Sequence, residues 1–129
     1  VYKRQELRRD GSPLANLRRV LNAIGRQHGE KGSCGCLLGI TMAEFSTDDP
    51  DMAALVRGHL RRVEDAFVEA LERARDAGEI DPLPAPRDHA RLLLGALQGL
   101  ALIGRITDEP ALPRSIVRAA IATLGDDHT

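Results

Sequence analysis

The side chains able to do chemistry in this sequence are few and scattered: Cys34 and Cys36, four histidines, and Gln98 inside an otherwise apolar run. Cys36 follows a glycine-bearing loop from Gly29 to Gly35. The apolar stretch from Cys36 to Phe45 is ambiguous between strand and helix, and the absence of partner strands assigns it to helix. Cys36 then stands at a helix N-terminus, where free amides and the helix dipole stabilise a thiolate, so it is a candidate redox sensor with Cys34 as resolving thiol. The competing assignment is a Cys36 turned inward as a small, inert apolar side chain. A closed zinc site wants four ligands, and Cys34-x-Cys36 has too few companions. His28, His59, His89 and His128 lie far apart, with no Glu-x-x-His or His-Glu-x-x-His pair, so no metal and no cofactor are expected. Nucleophile elbow, phosphate-cradling loop and dinucleotide fingerprint are all lacking. A catalytic pocket would have only Gln98, Glu64, His59 and Cys36 to work with, so the expectation is a protein that is not an enzyme.

The elements that position these groups read as helices. Ala90 to Ile106 is apolar over too wide an arc for a one-sided surface helix and must be covered on two sides. At 100° per residue, Ala90, Leu93, Leu94, Leu97 and Ala101 share one face, and Leu92, Gly95, Ala96, Gly99, Ile103 and Ile106 share the opposite one. Two interior glycines cost a helix about 1 kcal/mol each. At a spacing of four they let a second backbone approach closely, from within the chain or from another copy. Gln98, Arg91 and Arg105 interrupt or bound the run, and no membrane span is expected.

Earlier in the chain, Ser12 and Pro13 can open a helix carrying Leu14, Leu17, Val20, Leu21 and Ile24 to near Gly29. Asp49 and Pro50 open a long one, with Met52, Leu55, Val56, Leu60, Val63, Phe67, Ala70, Leu71 and Ala74 as its stripe, stopped by Gly78. Residues 1–9 read as the polar end of a helix, with Leu7 too isolated to define an apolar face. After a break from Thr107 to Pro113, a last helix carries Ile116, Val117, Ala120, Ile121 and Leu124 as one stripe.

At 129 residues, 43% hydrophobic and 2% aromatic, the composition sets one domain with an aliphatic core, better suited to helix packing than to a sandwich. The fold class expected is all-α, an antiparallel helical bundle of about five to six helices. Net charge is −1, but residues 1–31 hold eight Lys or Arg against three Asp or Glu, and the remainder ten against sixteen. Two cysteines this close cannot staple distant parts, which argues against a secreted disulfide scaffold and for the cytoplasm. With no initiator Met and no signal-peptide pattern, Val1 is expected to lie inside a longer parent chain.

Gly35-Cys36-Leu37-Leu38 opening a short helix that ends in Ala43-Glu44, a capped long helix ending Ala77-Gly78-Glu79-Ile80, and Leu97-Gln98-Gly99-Leu100 follow in order. From about Ser12 to Leu124 this order resembles the C-terminal ligand-binding and dimerisation domain of the TetR family of bacterial transcriptional regulators. The resemblance implies residues 1–11 as the end of a linker helix from an N-terminal DNA-binding domain outside this sequence. It makes 12–125 the effector-binding and dimerisation domain and leaves 126–129 as a frayed tail. It also implies a homodimer that meets DNA only through the N-terminal domain, its basic segment Lys3, Arg4, Arg8 and Arg9 lying nearest the DNA. Apolar positions on the inward stripes give a candidate effector pocket of Leu17, Leu21, Ile40, Phe45, Leu60, Phe67, Leu94 and Gln98. The candidate dimer face is Leu92, Gly95, Ala96, Gly99 and Ile103 with Ile116, Ala120 and Leu124. A repressor released by a small, largely apolar molecule is the leading functional expectation; a passive dimerisation domain and a small helical-bundle enzyme stand as alternatives.

Overall fold

The computed structural model describes residues 2–29, 49–82 and 84–125, and it is all-α. Its helices are α1 (Tyr2–Leu7), α2 (Pro13–Gly29), α3 (Pro50–Asp76), α4 (Pro86–Ile106) and α5 (Ala111–Ala122), and no strand occurs among the described residues. Local chemistry sets their ends. Ser12 Oγ accepts from the Ala15 amide at 3.1 Å, satisfying one of the amides that has no partner within α2. Asp49 Oδ1 does the same for Asp51 and Met52, at 3.0 and 3.2 Å, and Pro50 opens α3. The end of α3 is a Schellman motif: the Glu79 amide reaches Ala74 O and the Gly78 amide reaches Arg75 O, both at 2.9 Å. Gly78 takes a φ of 72°, a conformation that favours glycine.

Glu79 then ties this stop to the start of α2. Its carboxylate accepts the Ser12 hydroxyl and, at 3.2 Å, the Leu14 amide, so one acidic side chain serves a free amide of a helix 65 positions earlier. The α5 helix begins at Ala111, inside the expected break, with Pro113 in its first turn. Proline is harmless there because first-turn amides have no intrahelical acceptor to lose.

The core is aliphatic. Leu17 and Leu21 of α2, Phe67 and Leu71 of α3, Leu93 and Leu100 of α4, and Val117 of α5 form one buried cluster. Gly25 marks the tightest crossing, since a Cβ added there would stand 2.5 Å from Val117 Cγ2. Two expectations about the core are corrected. Leu7 is 4% exposed rather than isolated, because α1 folds back onto α2 and α3. Asn16 Nδ2 holds Leu7 O and Arg9 O at 3.3 and 2.8 Å, and Arg73 also donates to Leu7 O at 3.3 Å. Leu55 is 58% exposed, because it lies about 100° round the helix from Val56, which turns inward.

Candidate effector site and association face

The α4 helix carries Leu94 and Gln98 of the expected pocket and most of the expected association face. Its inward side is Ala90, Leu93, Leu100 and Ala101, all buried. On the outward side Leu92 and Leu102 are each 55% exposed and Ile106 is 81% exposed. An added Cβ at Gly95 or Gly99 would meet nothing within 4 Å, so nothing described in the chain occupies the glycine face. Ala96, Gly99 and Ile103 are half-buried at its margin. Leu102, which the sequence reading left out of this face, lies seven residues from Gly95 and therefore almost in line with it.

On α5 the expected face divides. Ile116 and Ala120 are half-buried on one flank. Leu124 is 2% exposed and belongs to the chain's own core, a correction to its place on the association face. The reason is angular: seven residues after Val117, it points the same way, toward α2.

The expected pocket residues do not form one wall. Leu17, Leu21 and Phe67 are sealed in the core cluster, whereas Leu60, Leu94 and Gln98 are half-buried outside it. Gln98 Oε1 is itself buried and has no hydrogen-bond partner among the described residues. An unsatisfied buried carbonyl costs about 1–3 kcal/mol, so this atom is suited to a donor brought from outside. Ile40, Phe45, Cys34 and Cys36 lie outside the described residues.

Of the other polar groups considered for catalysis, Glu64 is engaged. Glu64 accepts from Arg87 at 2.6 Å and from Arg91 at 3.1 Å, and Asp65 accepts from Arg87 at 2.7 Å. The Arg87 hydrogen bond, with that of Arg91, holds the Glu64 carboxyl below its usual range, which keeps it ionised and unsuited to acid catalysis. Burial, with the nearby charge of Arg62, lowers the His59 imidazole, and burial alone lowers His89. Among the described residues no three His, Cys, Asp or Glu side chains converge as metal ligands.

A groove that the sequence reading missed opens between α2 and α5, with a volume of about 830 Å³. Its floor is Gly25, Val117 and Ile121; Arg26, Arg114 and Arg118 stand round it. The legible signal was the Arg114 and Arg118 spacing of four, which puts both on one flank of α5. Their apposition to Arg26 across the groove depends on helix packing.

The chain belongs to the Tetracyclin repressor-like, C-terminal domain family, whose model matches residues 13–120. That family is one of regulatory domains with ligand-binding and dimerisation roles, not of enzymes. No curated protein and no solved structure matches the chain. No described helix is long and apolar enough to cross a membrane.

Proposed function

We propose that this chain is the effector-sensing and dimerisation module of a TetR-like transcriptional repressor of the cytoplasm, released from DNA by a small, largely apolar ligand. The observation that carries it is the outward face of α4, where Leu92, Leu102 and Ile106 surround Gly95 and Gly99 with no described residue over them. Covering such a face with its counterpart in a second copy gains about 25 cal/mol per Å² of apolar area, and the glycines allow the two helices to approach closely. Ile116 and Ala120 of α5 complete a four-helix contact. The ligand site proposed is the half-buried group Leu60, Leu94 and Gln98, with Gln98 Oε1 accepting a hydrogen bond from the ligand. Because α4 bears Leu94 and Gln98 as well as the dimer face, a ligand that favours one placement of α4 against Leu60 of α3 shifts the spacing of the two copies. In this reading DNA contact belongs to an N-terminal domain outside the 129 residues, and no covalent step is required.

Sedimentation of the chain at about 50 µM, well above an obligate dimer's dissociation constant, tests the interface. A dimer is expected, with Gly99→Leu monomeric or distorted and equally helical; a monomeric parent chain overturns the interface. A thermal-shift panel of apolar ligands tests sensing, since a binder of the folded state raises the melting temperature and a passive dimerisation domain gains from none.

A further inference from the structure

We propose that the groove between α2 and α5 is a second binding site, for an amphipathic organic anion: a single apolar chain carrying a carboxylate or phosphate head. The apolar part would lie on Gly25, Val117 and Ile121, and the head among the guanidinium groups of Arg26, Arg114 and Arg118. Among the described residues no Asp or Glu lines the groove, and none of these three arginines makes an ion pair with a described carboxylate. Arg114 spends one donor on Pro110 O at 3.2 Å, and Arg118 has a long contact of 3.5 Å with Ser115 Oγ. Each guanidinium offers five donors in a planar fork matched to carboxylate and phosphate, so most of that capacity is unspent. Three cations brought together around one space also repel one another, and an anion placed among them relieves that repulsion.

The floor explains why the ligand is amphipathic rather than a simple anion. Gly25 and Val117 meet where the two helices cross, and beside that crossing the groove keeps an apolar base under its charged rim. A volume of about 830 Å³ falls within the range of about 300–1,000 Å³ that single small molecules occupy, which favours one ligand molecule over a docked protein segment. Arg114, Val117, Arg118 and Ile121 fall on one flank of α5, and Ile116 and Ala120 on the other. A ligand seated between α2 and α5 therefore presses on the helix that completes the proposed dimer face. That coupling rests on the function proposed above; binding to the groove does not.

Calorimetric titration of the 129-residue chain with decanoate, decyl phosphate and decanol tests the site. At least one anion should bind about tenfold more tightly than the neutral alcohol, the size of one charge-assisted hydrogen bond, and comparing the two anions identifies the preferred head. The double variant R114Q/R118Q, with both positions exposed and its fold checked by circular dichroism, should bring the anions down to the alcohol's affinity. Arg57→Gln, an exposed arginine of α3 outside the groove, should change nothing. Equal binding of decanol, unchanged affinity in the double variant, or no binding by either anion at about 1 mM, where a site with a Kd of about 1 mM is half filled, overturns the proposal. Loss of anion binding in Gln98→Met would place the ligand at the α4 site and also overturns it. Sedimentation of the same samples separates the two readings, because a monomeric chain that binds decanoate loses the dimer face and keeps the groove.

Discussion

His89 Nε2 lies 2.9 Å from Thr123 Oγ1, and that hydroxyl in turn donates to Ala120 O at 2.6 Å. With its one proton committed to the carbonyl, Thr123 can only accept, so His89 carries a proton on Nε2. Burial holds its pKa below the ordinary value. A lowered folded-state pKa gives stability that is complete above about 6.5, the unfolded imidazole value, and is lost as pH falls from there toward the folded value. Urea unfolding between pH 8 and 5 should show that decline, and His89→Gln should flatten it. His59, also lowered by burial, contributes to the slope left in the variant. An unchanged slope in His89→Gln would remove His89 as its source.

Gly25→Ala should destabilise the chain by about 1–3 kcal/mol, the usual cost of overpacking, despite Ala's better helix propensity. The new Cβ would stand 2.5 Å from Val117 Cγ2, so the Val117 side chain or α5 itself must shift to admit it. Val117→Ala in the same chain opens the space, so a double-mutant cycle should show a coupling of opposite sign to the single losses. Additive losses would mean that the crossing is looser than described.

Two of the contacts that hold α1 differ greatly in strength. Arg8 makes a paired contact with Glu69 at 2.8 and 3.1 Å, but both side chains are substantially exposed, so Glu69→Gln should cost less than about 1 kcal/mol. Leu7→Ala empties a buried site and should cost about 2–5 kcal/mol. Hydrogen exchange of the α1 amides reads the difference directly: large acceleration is expected in the leucine variant and little in the glutamate one.

Gln98→Met should stabilise the ligand-free chain by about 1 kcal/mol or more, because it removes a buried oxygen that lacks a partner among the described residues and keeps the volume. The same substitution should weaken any effector that donates to Gln98 Oε1. Phe67→Ala serves less well as a pocket test. Phe67 is buried in the core cluster, so truncation should cost about 3–5 kcal/mol of stability whatever binds.

Much of this architecture is set by short-range chemistry and was therefore legible residue by residue. Ser12-Pro13 and Asp49-Pro50 start helices because their side-chain oxygens and fixed φ satisfy the first turn locally. Gly78 stops α3 because it can take a positive φ, and the period of Leu93, Leu97 and Ala101 assigns one side of α4 inward. Family membership followed from the order of such signals. Tertiary packing alone decided the rest. Whether Leu124 faces a partner or its own core depends on the rotation of α5 about its axis, which a stripe only one helix wide leaves open over tens of degrees. Leu7 is buried because α1 folds back, a matter of Asn16 and Arg73 reaching its carbonyl across the fold. Gly25 meeting Val117, and three arginines from two helices bounding one groove, join positions some ninety residues apart. Periodicity specifies which side of a helix is apolar; only the packed bundle specifies what that side meets.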